Sequence, residues 1–146
     1  MKFSIKRQRN LKTSNTESYE KELNKLSVGL AKLYKKTLLY NIRTNKFGFT
    51  LSSNTIKSRL NRMNTDTTPL IDTSDYLDAI IQKNTQVTVK KGKHYSGLSY
   101  KELSSILENG RLDKSIPAFP VWRMTLEQLQ PEINKRIEIF VRKHTI

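Results

Sequence analysis

"SGLSYKELSSILENGRLDKSIPAFPVW", residues 96–122, carries the signals for a helix, an extended segment and a second helix in succession. Ser99 and Glu102 have the S-x-x-E spacing of a capping box, in which each side chain satisfies an amide left free at the start of a helix. Leu98 and Leu103 stand at the N′ and N4 positions and can form a hydrophobic staple. Tyr100, Leu103, Ile106 and Leu107 recur at helical spacing, which predicts a short helix with one apolar stripe. Asn109-Gly110 ends that helix, with Gly110 suited to the left-handed C′ position. "IPAFP", residues 116–120, is then extended, because Pro117 and Pro120 each disfavour helix at the residue before them. Pro120 can serve as the first residue of a following helix that carries Trp122, Met124, Leu126 and Leu129. Pro131 restarts or kinks it. Ile133, Ile137, Phe140 and Val141 continue an amphipathic C-terminal helix.

Moving toward the N-terminus, "IIQKNTQVTVKKGKHY" reads as extended structure. Val87 and Val89 alternate with Thr88 and Lys90, so one face is apolar. Lys90, Lys91 and Lys93 surround Gly92 in a turn or exposed loop and are candidates to face DNA. Asp72 is placed as the N-cap of a short helix, with Asp75 and Asp78 beyond it. Three aspartates this close raise a divalent-cation site, but helix-start carboxylates explain the spacing without a metal. Pro69 keeps Thr68 out of helix at the end of a polar loop over 64–69. Ser52 or Ser53 can cap a short helix bearing Ile56 and Leu60, and Phe47-Gly48-Phe49 is a turn with aromatic flanks.

A long helix precedes these elements. Ser14 to Glu17 is a possible capping box. Leu23, Leu26, Leu30, Leu33 and Thr37 form a narrow seam that Tyr34, Leu38 and Ile42 widen toward the C-terminal end. Such a seam packs on the chain's own sheet or on a neighbour's helix. Residues 1–13, with Lys2, Lys6, Arg7, Arg9 and Lys12, read as a flexible basic arm. It is either a frayed terminus or a segment that orders on nucleic acid or on another subunit. The expected fold is a single α+β domain over 1–146: a long N-terminal helix, a small antiparallel sheet, a short middle helix and a C-terminal amphipathic helix.

Composition bounds the function. The 27 Lys and Arg against 13 Asp and Glu give a net charge of +14, which favours polyanionic neighbours. Cysteine is absent, excluding disulfides and thiolate metal sites. No signal peptide is expected, nor any membrane segment. His94 and His144 are the only histidines, and neither a His-centred triad nor a zinc site is expected. There is no G-x-S-x-G, no phosphate-binding loop and no H-E-x-x-H. The chain is expected to be no enzyme and to carry no cofactor.

Three stretches together resemble one family. "TPLIDTSDYLDAI", "LSYKELSSILENG" and "IPAFPVWRMTLEQL" look like the tail-completion or neck proteins of long-tailed phages. That family has a PL-(I/V)-D-T-G-x-L motif, a strand, a Y-A-x-x-x-E-x-G helix, and then I-P-A-R-P-F. Pro69, Leu70, Ile71, Asp72, Thr73 and Leu77 match the first motif. Tyr100, Glu108 and Gly110 fit the second, and Ile116, Pro117, Ala118 and Pro120 the third. Ser74, Phe119 and Val121-Trp122 depart from it. The resemblance covers about residue 47 to the C-terminus. It implies a ring-forming α+β domain, commonly a hexamer, between the capsid portal and the tail and surrounding the DNA path. It implies neck, portal-adaptor and tail-tube neighbours, and a location in the virion after assembly in the host cytoplasm. Ile116, Pro117, Phe119, Pro120 and Trp122 would be the subunit interface, with Phe119 and Trp122 either anchoring a neighbour or filling the subunit's own core. The competing expectation is a stand-alone basic protein that binds nucleic acid without sequence preference.

Overall fold

The computed structural model describes residues 1–4, 16–64, 75–111, 113 and 116–144. The longest element, α1 (Thr16–Thr44), packs along α5 (Val121–His144). The two run antiparallel. Tyr19 near the start of α1 meets Phe140 near the end of α5, with ring centroids 5.3 Å apart. Asn41 near the end of α1 donates to Thr125 Oγ1 (2.9 Å) and Gln128 Oε1 (2.8 Å) near the start of α5. Glu22 closes the first of these ends by pairing with Lys143 and His144.

The buried residues of α1 are Tyr19, Ser27, Leu30, Ala31, Tyr34, Leu38, Asn41 and Ile42. From Ser27 they recur at i, i+3, i+4, i+7, i+11, i+14 and i+15, a broad core-facing stripe. The predicted seam is therefore displaced. Leu23, Leu26, Leu33 and Thr37 are half-buried flanks, and the residues expected only to widen the seam form its centre. Asn45 ends α1 in the left-handed conformation (φ 47°), with Lys46 N bonded to Asn41 O and Asn45 N to Ile42 O. This is a Schellman motif with asparagine in place of glycine. The Asn45 side chain also brackets Phe49, bonding both its amide and its carbonyl.

The expected small antiparallel sheet is present as a hairpin of β1 (Ile80–Lys83) and β2 (Gln86–Val89), with Ile80 opposite Val89 and Gln82 opposite Val87. Asn84, at φ 54°, turns the chain between them. Ile80 and Val87 are buried toward α1, and Gln82 Nε2 donates to Val28 O. Residues 1–4, expected to belong to a flexible arm, instead lie along this hairpin. Phe3 N donates to Thr85 O (2.8 Å) and Val87 N to Met1 O (2.6 Å). Phe3 is only 8% exposed and packs on Tyr34. An edge strand needs only a row of free backbone groups to add a neighbour, which is why the basic sequence gave no sign of it. Residues 5–13 lie outside the described residues.

Two short helices precede the hairpin. α2 (Ser53–Asn61) is capped by Ser52, whose side chain accepts from Thr55 N, one of the two serines the sequence allows in that role. α3 (Asp75–Ala79) follows; Asp72, its predicted cap, lies outside the described residues. α4 (Tyr100–Asn109) opens on the full Ser99–Glu102 capping box. Pro131 lies inside α5, which is assigned as one helix across it. The result is a mixed α+β fold in one small domain. Among the described residues, no helix is long and apolar enough to cross a membrane.

Candidate interaction surface

The 116–120 segment lies across the C-terminal end of α4. Arg111 and Ile116 exchange two backbone hydrogen bonds of 2.9 Å, and Phe119 N donates to Leu107 O at 2.6 Å. Gly110 makes this approach possible. Its φ of 72° with ψ of −179° is not the left-handed helical geometry expected of it but a region open essentially to glycine alone. A Cβ there would stand 2.7 Å from Ile116 O and 2.9 Å from Ala118 N. The extended segment is thus seated against backbone, with no room for any side chain between.

Helix α5 begins beneath that segment without a polar cap of its own. Pro120 precedes Val121 and has no side-chain acceptor. The sequence allowed Pro120 as the first residue of this helix; the structure puts it one position earlier. Glu108, near the end of α4, supplies the acceptor. Its two carboxylate oxygens accept from Trp122 N (3.1 Å) and Arg123 N (2.9 Å). A carboxylate at a helix N-terminus also sits favourably in the helix dipole. Trp122 is then held from both sides. Its carbonyl accepts from the Tyr34 hydroxyl (2.8 Å), and its Nε1–H donates to the Tyr76 hydroxyl (2.9 Å). The Tyr76 hydroxyl also lies 3.0 Å from Ser104 Oγ. Burial raises the pKa of both the Tyr34 and the Tyr76 hydroxyl above the ordinary value, so both stay protonated, Tyr34 donating to the Trp122 carbonyl and Tyr76 accepting from the indole N–H. One network joins α1, α3, α4 and α5.

The five predicted interface residues divide accordingly. Phe119 is 9% exposed and meets Phe49 edge-on at 5.3 Å; it serves the chain's own packing. Trp122 is half-buried within the network. Within the single chain both aromatics have internal contacts, Phe119 with Phe49 and Trp122 with Tyr34 and Tyr76. Pro117 and Ala118 are exposed, and Ile116 and Pro120 half-exposed, so the outer face of the segment is small, apolar and rigid. Trp122 also lines an open recess of about 280 Å³ together with Val89, Lys101, Ser104, Ser105 and Glu108 among others.

Lys90, Lys91 and Lys93 are exposed, but they sit at the opposite end of α4 from the 116–120 segment. Lys93 bridges to Ser99, and the Lys90 ammonium stands 5.6 Å from the centre of the Tyr100 ring. The ten residues of α4 separate the two predicted sites by about 15 Å. His94 stacks on Tyr95 and bonds Ser96, closing its own loop. Among the described residues, no three His, Asp or Glu side chains come together as metal ligands would.

Sequence reasoning missed Glu108 as a cap and both tyrosines as network members. One signal was available: a helix starting at Pro-Val-Trp has no Ser, Thr, Asp or Asn to cap it, so an acceptor must arrive from elsewhere. Comparison with protein-family models, curated proteins and solved structures finds no match to any of the three.

Proposed function

We propose that this chain is a structural subunit of the phage head–tail junction, of the neck or tail-completion type. It would form a ring, with hexamer the expected state, that joins the portal end of the capsid to the tail and surrounds the DNA path. Its partners would be copies of itself and the adjoining neck, portal-adaptor and tail-tube proteins. One observation carries this reading. Residues from all three resembling stretches form a single joint: Gly110 seats Ile116–Ala118, Glu108 caps the helix after Pro120, and Tyr76 binds Trp122. Motifs that are weak one by one thus acquire a common reason for their order and spacing. The joint presents a proline-stiffened outer face with little ordering entropy left to lose on contact. A defined apolar face without reactive groups suits assembly rather than catalysis.

Light scattering of the purified chain at low and high salt tests this. An oligomer that survives high salt is expected, because the contact face is apolar. A monomer that gains mass only on addition of DNA favours the stand-alone nucleic-acid binder.

A further inference from the structure

The exposed side of α1 carries a row of cations that the joint does not use. Lys21, Lys25, Lys32, Lys36 and Arg43 are all exposed. Their steps of four, seven, four and seven residues place all five within about 60° of one another around the helix axis. The row runs for about 33 Å at 1.5 Å per residue. None of the five forms an ion pair with a described residue. No Asp or Glu occurs in the sequence between Glu22 and Asp66. Glu22 itself is turned to Lys143 and His144. Lys21–Lys25 and Lys32–Lys36 are like-charge pairs at i, i+4, an arrangement that destabilises a helix when nothing neutralises it. The opposite face of α1 is committed to α5 and the hairpin, so this row is the face left outward.

We propose that this row is a binding surface for the phosphate backbone of duplex DNA, without sequence preference. A duplex carries one charge per about 1.7 Å of axis, so each cation finds a phosphate whatever the register. An acidic protein would need carboxylates matched to the four–seven spacing. An anionic membrane would need an apolar edge, and Tyr40, 60% exposed, is the one large exposed hydrophobic among the described residues of α1. The surface is distinct from Lys90, Lys91 and Lys93. It needs only α1 and does not depend on ring formation.

The test is anisotropy of a labelled duplex of about 20 bp, titrated with the full chain at several salt concentrations. Five phosphate contacts predict that affinity falls roughly twentyfold for each doubling of salt. The triple variant Lys25→Gln, Lys32→Gln, Lys36→Gln should reduce that to roughly three- to fourfold. Lys90→Gln, Lys91→Gln, Lys93→Gln removes the same charge elsewhere and should leave the salt dependence unchanged. Equal effects of the two triples would mean diffuse attraction and overturn the proposal. So would a wild-type chain that does not bind the duplex, or one that binds anionic vesicles or polyglutamate through these lysines in preference to it. Failure here leaves the ring untouched, and a ring absent from virions leaves this surface untouched.

Discussion

The carboxylate of Glu108 lies over the first turn of α5 and holds the amide of Trp122 at 3.1 Å, fourteen residues away in sequence. With Arg123 N taken by the other oxygen, two of the amides that every helix leaves free at its start are satisfied from a different helix. Glu108→Ala should therefore cost about 1 kcal/mol or somewhat more, as loss of a cap does. Glu108→Gln, which keeps an acceptor, should cost less. Urea unfolding of both variants measures this; equal stability to wild type in Glu108→Ala would remove Glu108 from the joint.

Gly110→Ala adds a single carbon where the backbone of Ile116 and Ala118 leaves no space. It also forces alanine into a conformation that costs about 1–3 kcal/mol for a residue with a side chain. The expected result is a loss at least that large, because backbone rather than a flexible side chain must move. A variant within a few tenths of wild type in chemical denaturation would contradict the close seating of the segment.

Phe119→Ala distinguishes packing from contact. With Phe119 buried against Phe49, truncation should lower folding stability by about 3–5 kcal/mol and reduce the yield of folded protein. A variant of normal thermal stability that fails only in assembly would return Phe119 to the role of interface anchor.

What the sequence made legible was local. Ser99 and Glu102 are three residues apart, and their capping box forms as read. Ser52 caps α2 for the same reason. The turn at Phe47-Gly48-Phe49 and the apolar face of Val87 and Val89 likewise depend on neighbours in sequence. The joint was hidden because its bonds are long-range: Tyr34 to Trp122 spans 88 residues, and Trp122 to Tyr76 spans 46. The true face of α1 was displaced because Ser27 and Asn41 are buried polar residues, and the Asn41 Nδ2 donates to partners on α5 that a periodicity of apolar residues does not register. Docking of Phe3 beside the hairpin was masked by the charged residues around it and by pairing that uses backbone alone.

Stability should fall on the acid side. Hydrogen bonds from Lys143, then His144, hold the Glu22 carboxyl below its ordinary value of 4.5, and bonds from the Ser99 backbone and side chain do the same for Glu102. Arg136 lowers Glu132 likewise. A carboxyl depressed in the folded state stabilises fully above its unfolded value and loses that contribution as pH falls through its folded value. The melting temperature should therefore hold steady down to about pH 5 and decline below that. Glu22→Gln with Glu102→Gln should flatten part of the decline in a thermal melt series. An unchanged slope would mean that these pairs do not form in solution.

Electron cryomicroscopy of intact virions tests the assignment to the head–tail junction most directly. Density for this chain is expected as a closed ring between portal and tail, with the outer face of residues 116–118 at a subunit or ring-to-ring contact. Absence of the chain from virions, or its presence within the capsid shell instead, would contradict it.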